Sequence, residues 1–184
     1  GDIHMGNCAE ILAKEGNYSR EDQDAFAVES YQRSMEAIKK GYFQDEIAPV
    51  EVPQRKGDPV IVDTDEEPGR GKPEKISKLR SAFEKEGTIT AANASSINDG
   101  AAAVVVMSAE KSDEFGTQPI CRIITQASIA QEPLYFTTAP GKAISKVLDK
   151  SNLSINDIDL FEINEAFSNV TLAAMRDHNI PHDK

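Results

Sequence analysis

Thr88-Ile-Thr-Ala-Ala-Asn-Ala-Ser-Ser-Ile-Asn-Asp-Gly100 runs directly into Ala101-Ala-Ala-Val-Val-Val-Met107, and the reading of these two segments decides the fold. The first is almost wholly small or turn-forming, which lets backbone approach a ligand or another chain closely. The second is a continuous apolar run of strand length, the pattern of a strand buried inside a layered sheet. The composition shift near residue 98 therefore marks a boundary. Helices and a hairpin are expected before it, alternating strands and helices after it.

Working upstream, Met5, Cys8, Ala9 and Leu12 recur at helical spacing, predicting a helix over 3–15 that Gly16-Asn17 stops. Ser19 and Asp22 form a capping-box start for a second helix with the stripe Ala25, Val28, Tyr31, Met35 and Ile38, ended by Gly41. Glu46–Val52 and Pro59–Val62 read as a β-hairpin. The charged stretch 63–73, broken by Pro68, Gly69, Gly71 and Pro73, reads as an exposed loop, and a short helix is expected over 74–83.

Downstream, Ser108 caps a short helix ending at Gly116, and helices are expected over 141–149 and 166–176, the latter with Phe167, Val170 and Ala174 on one face. Strands are expected at 101–107, 120–128 and 158–163. Such strands and helices leave open edges and an uncovered sheet face, so a larger fold is expected to supply the remaining strands. No internal repeat is found.

The 184 residues are 39% hydrophobic and 28% charged, which suits a globular chain. A net charge of −11 argues against general binding of nucleic acid. No apolar run is long enough to span a membrane, and no secretory leader is visible. The chain opens on Gly1-Asp2 without methionine, so the native start is expected to lie elsewhere. Cys8 and Cys121 are too few for a disulfide framework and suit a reducing compartment, cytoplasmic or mitochondrial, as small buried side chains. His178 and His182 have metal-like spacing that Pro181 disturbs, and the sequons at Asn17, Asn93, Asn152 and Asn169 carry little meaning without a leader.

Three stretches in this order resemble the thiolase family: His4-Met5-Gly6, the segment 88–102, and Asn164-Glu-Ala-Phe167, with Lys78-Leu-Arg-Ser-Ala-Phe83 between them. The resemblance runs along essentially the whole chain. It implies an α/β, thiolase-like fold, here the family's loop domain over 1–98, the end of an N-terminal layered βαβα core unit over 99–118, and the first half of a C-terminal one over 119–184. It implies a biosynthetic activity, the joining of two acetyl-CoA molecules into acetoacetyl-CoA and the reverse thiolysis, with self-association as a homodimer or homotetramer. A degradative 3-ketoacyl-CoA thiolase, or a non-catalytic module binding coenzyme A or partner subunits, stays open beside it. No tightly bound cofactor, nucleic-acid partner or membrane is expected.

The family's chemistry uses a nucleophilic cysteine, a histidine that activates it and a second cysteine as base. Neither Cys8 nor Cys121 matches those cysteines, so this chain by itself is expected to be inactive. The resemblance assigns it the binding half instead. Asn164 matches an asparagine that holds a water in an oxyanion hole, with capping of the following helix as the plain alternative. Ala91, Ala94 and Ser95 match positions beside the pantetheine arm. Leu79, Phe83 and Phe167, with Ala166, match that tunnel's walls, where core packing is the rival reading. His4 and Met5 match the lining near the reacting end, with a structural histidine as the plain alternative for His4, and Arg70 matches a basic group near the adenine nucleotide, with a solvated charged loop as the plain alternative. Ala91, Ala92 and Ala94 resemble a variant that binds potassium through backbone carbonyls.

Overall fold

Asn17 adopts φ 53°, ψ 42°, and this left-handed residue turns the chain between its first two helices. Asparagine tolerates that conformation, and the Tyr18 amide closes the turn on the Ala13 carbonyl at 2.9 Å. The structure, a computed structural model, describes residues 2–184. Helix α1 (Met5–Gly16) precedes the turn and α2 (Arg20–Lys40) follows it. The Asp22 amide donates to Ser19 Oγ at 3.0 Å, the cap expected from the sequence, and Gly41 at φ 67° ends α2.

Two compact units result. The first runs through Ala94 and takes in Ala166–Asn169; the second holds Ser95–Glu165 and Val170–Lys184. In the first, α1 buries Gly6, Cys8, Ala9, Glu10, Leu12 and Ala13. Met5, expected on that stripe, is 56% exposed because it stands at the helix's first position. The stripe expected on α2 is also corrected. Its buried residues are Gln23, Asp24, Phe26 and Ala27, whereas Ala25, Met35 and Ile38 are exposed. Asp24 is buried against Arg20 and Asn93, and Gln23 through its Nε2, which donates to the Tyr18 and Ser19 carbonyls and the Thr88 hydroxyl.

Strands β1 (Val50–Val52) and β2 (Val60–Val62) pair antiparallel, Val50 opposite Val62, so the hairpin is present but shorter than expected. The expected loop 63–73 contains a short helix, α3 (Glu66–Arg70). Asp65 caps it by accepting from the Glu67 amide at 3.1 Å, and Pro68 in the first turn costs no helical bond. The helix expected over 74–83 is a 3₁₀ turn at Pro73–Lys78. Arg20 bonds the carbonyls of Ile76 and Leu79 at 3.0 Å each, which takes acceptors that a longer helix would need.

The second unit holds α4 (Ala109–Phe115), a 3₁₀ turn at Pro133–Thr138, α5 (Ala139–Ser151), a 3₁₀ turn at Ile155–Asp157 and all but the first two residues of α6 (Ser168–His178). The strands expected at 101–107, 120–128 and 158–163 are not formed. Among the described residues β1 and β2 make the sole sheet, and Val104, Val105 and Ile120 are 86%, 86% and 103% exposed. An extended segment becomes a strand only when neighbouring backbone supplies its ladder bonds, and none does so here. Cys121, expected to be buried, is exposed for the same reason. Among the described residues no helix is long and apolar enough to cross a membrane.

Candidate functional site

The first unit is organised around the segment that opened the sequence reading. Glu10, fully buried in α1, turns its carboxylate onto residues 88–89. One oxygen accepts from the Ile89 amide at 2.9 Å, the other from the Thr88 amide at 2.9 Å and the Thr88 hydroxyl at 3.2 Å. Gln23 reaches the same hydroxyl from α2 at 3.0 Å. The chain then turns tightly. Asn93 Oδ1 accepts from the Thr90 amide at 2.8 Å, and Thr90 Oγ1 accepts from the Ala92 amide at 3.2 Å.

Asn93 Nδ2 donates to the Thr88 carbonyl at 3.0 Å and to Asp24 at 3.1 Å. Asp24 in turn pairs with Arg20 at 2.7 Å, both side chains largely buried. Bonds to charged groups of this kind contribute about 1.5–3 kcal/mol each. The backbone of 88–94 is thereby held at both ends by side chains from two helices. Its own side chains at Ala91, Ala92 and Ala94 are single methyl groups, so a narrow ligand could lie against the backbone itself.

An aromatic row lies in the same unit. The His4 ring stacks on Phe83 at 4.8 Å, and Phe83 meets Phe167 edge-on at 6.3 Å. A Cβ built on Gly6 would fall inside the Phe83 ring, so glycine at that position admits the aromatic side chain. His4 Nδ1 accepts from the Gly6 amide at 3.1 Å, which caps α1 and leaves the ring proton on Nε2. Ala94 bridges Phe167, and the Ser168 amide donates to the Asn93 carbonyl at 2.9 Å.

The structure therefore gathers His4, Phe83, Ala91, Ala92, Ala94 and Phe167 in one unit. Met5 and Leu79 belong to it at exposed positions, and Ala166 immediately precedes Phe167. Arg70 is exposed on α3, bonded to Glu66, so the loop expected there is helical and its charge is paired. Ser95 and Asn164 fall in the second unit, both exposed. Asn164 lies in non-helical chain upstream of Phe167, the residue that precedes α6, so it does not cap that helix. His178 bonds the Gly141 carbonyl at 2.7 Å, and no group of three or more metal-ligating side chains occurs among the described residues.

The sequence reading missed Glu10, Arg20, Gln23, Asp24 and Gly87. A signal for Glu10 was present, because it falls with Gly6, Ala9 and Ala13 at helical spacing on the buried face of α1. A carboxylate on such a face needs buried donors. Gly87 had no comparable signal.

Comparison with known proteins gives a consistent set of matches. The family model described as thiolase, N-terminal domain, matches residues 1–110, and that described as thiolase, C-terminal domain, matches 117–184. An acetyl-CoA acetyltransferase of Yarrowia lipolytica is 52% identical over 93% of this chain and 43% of its own length. The crystal structure of the Bacillus anthracis acetyl-CoA acetyltransferase superposes with a TM-score of 0.95 at 39% identity, over 99% of this chain and 46% of that one. A thiolase from Ascaris suum solved in complex with coenzyme A gives a TM-score of 0.89 at 44% identity, over 96% and 45%. The chain spans about half the length of the curated relatives it matches.

Proposed function

The chain belongs to the thiolase family, and from that premise we propose that these residues are part of an acetyl-CoA C-acetyltransferase, which condenses two acetyl-CoA molecules to acetoacetyl-CoA and catalyses the reverse thiolysis. The observation that carries the reading is the pinned turn 88–94, floored by alanines and flanked by Phe83 and Phe167. It is supported by the likeness to a relative in complex with coenzyme A.

In this reading the pantetheine arm packs against Ala91 and Ala94, with Leu79, Phe83 and Phe167 as apolar wall. His4, Met5 and Ala166 contribute to the lining, and Arg70 offers a charge to the nucleotide end, exchanging Glu66 for a phosphate. Ser95 and Asn164 keep the roles the family motif gives them. Ser95 bonds an amide of the arm, and Asn164 holds a water as donor to the developing enolate oxygen. No residue of this chain is assigned the nucleophile's or the base's part. The domain boundaries at 98 and 118 are retained as part of the same reading.

Potassium fits less well. Carbonyl oxygens are the donors that replace its hydration shell. The Asn93 carbonyl is already committed to the Ser168 amide, so Ala91, Ala92 and Ala94 would supply only part of that shell. No step depends on the ion. Self-association as a dimer or tetramer is supported by the exposed apolar hairpin residues Val50, Val60 and Ile61.

The test is to measure the intact mass of the purified full-length protein and assay it with acetoacetyl-CoA and coenzyme A. Formation of acetyl-CoA is expected. A folded full-length protein that forms none sinks the reading, and a preference for longer 3-ketoacyl chains moves it to the degradative class.

A further inference from the structure

Glu10 is fully buried, and its carboxyl group is spent on main-chain amides of a segment 78 or 79 residues away. Its two oxygens divide between successive amides, Ile89 on one and Thr88 on the other, so the carboxylate fixes both the position and the rotation of the backbone there. The opposite side of the contact is shaped to receive it. A Cβ built on Gly87 would overlap the Glu10 carboxylate, so glycine at that position is what allows the approach. Residues 87–89 lead without interruption into the turn 90–94. A hydrogen-bond acceptor for amides could be uncharged and still serve stability. A bidentate carboxylate fixes geometry more tightly, because both acceptors sit on one rigid plane.

We propose that Glu10 is a positioning residue for the coenzyme A thioester: it sets the backbone at Thr88 and Ile89, and through it the alanine-floored turn against which the ligand's arm packs. The inference rests on the coenzyme A reading given above. Glu10 touches no ligand itself; it acts through the turn. A change at Glu10 should then alter binding of the thioester more than the rate of the chemical step.

The experiment uses the full-length protein with Glu10→Gln and, independently, Gly87→Ala, which crowds the same carboxylate from the other side. Kinetics with acetoacetyl-CoA and coenzyme A are measured well below each variant's unfolding temperature. Each substitution is expected to raise KM about tenfold, the equivalent of one charge-assisted hydrogen bond, with kcat changed less than about twofold. Thr88→Val, which removes the hydroxyl's bonds to Glu10 and Gln23 but leaves both amides on the carboxylate, is expected to be milder. Inactivity of the unsubstituted protein would defeat the coenzyme A reading. With an active unsubstituted protein, an unchanged KM in a folded Glu10→Gln or Gly87→Ala variant overturns the positioning role. So does failure of both variants to fold, since Glu10 would then be structural alone.

Discussion

Asn93 Nδ2 donates to Asp24 Oδ1 at 3.1 Å, joining the turn of small residues to the start of α2 across 69 positions of sequence. The other Asp24 oxygen pairs with Arg20, whose guanidinium also bonds the carbonyls of Ile76 and Leu79. A single buried carboxylate thus links the turn 88–94 to the segment 76–79. Neither segment has regular secondary structure of its own beyond a 3₁₀ turn, so side chains replace the ladder bonds that would otherwise hold them.

Asn93→Ala removes bonds to Asp24, the Thr88 carbonyl and the Thr90 amide together. Several buried polar groups lose their partners at once, and the expected cost is about 2–4 kcal/mol. Denaturant unfolding of the full-length protein checks this. A loss below about 0.5 kcal/mol, the range of ordinary surface substitutions, would mean the network is not what orders the turn.

Gly6→Ala should act through Phe83. The added Cβ overlaps the ring, which must leave its stacking on His4 and its edge contact with Phe167. Overpacking of this kind costs about 1–3 kcal/mol. Phe83→Leu in the same chain frees the space, so the double substitution should cost less than the sum of the two single ones. Strict additivity in a double-mutant cycle would show that Gly6 and Phe83 do not share the space.

Asp157 predicts a pH dependence in the second unit. The Ser154 hydroxyl and amide, at 2.6 Å and 2.8 Å, hold its carboxyl below the ordinary value of 3.8. A depressed folded value contributes stability that is present above 3.8 and is lost as pH falls through the lower folded value. Asp157→Asn should therefore unfold at lower temperature than the unsubstituted protein at neutral pH, with the two melting curves converging in strong acid. A difference that stays constant over that range would remove Asp157 from the account.

How much of this was readable beforehand depends on how local each determinant is. The turn at Asn17, the cap at Ser19 and the glycine stop at Gly41 are set by one or two neighbouring residues, and all were legible. The segments 101–107, 120–128 and 158–163 carry the composition of strands, but pairing is not a property of one segment. No described segment pairs with them, so the apolar side chains stand exposed. Phe83 and Phe167 could be named from a motif, whereas the packing of Phe83 against His4, Gly6 and Phe167 could not. Glu10 had the spacing of the buried face but not the residue type. A periodicity search treats a carboxylate as a surface residue, yet this one is buried because two distant amides meet it.

Asn164 provides the sharpest contrast with Glu10. It is exposed and does not cap α6, so neither packing nor helix capping accounts for an asparagine there. If it holds the water that donates to the enolate oxygen, its amide matters in the transition state and little elsewhere. Asn164→Ala in the full-length protein should lower kcat about 10²-fold or more, the usual effect of losing one oxyanion donor. KM should change little, and stability should stay within about 0.5 kcal/mol as for other exposed positions. The two substitutions should therefore separate on one set of kinetic curves, Glu10→Gln moving KM and Asn164→Ala moving kcat. A kcat for Asn164→Ala within about threefold of the unsubstituted protein would exclude it from the oxyanion hole, because that is under 1 kcal/mol of transition-state stabilisation.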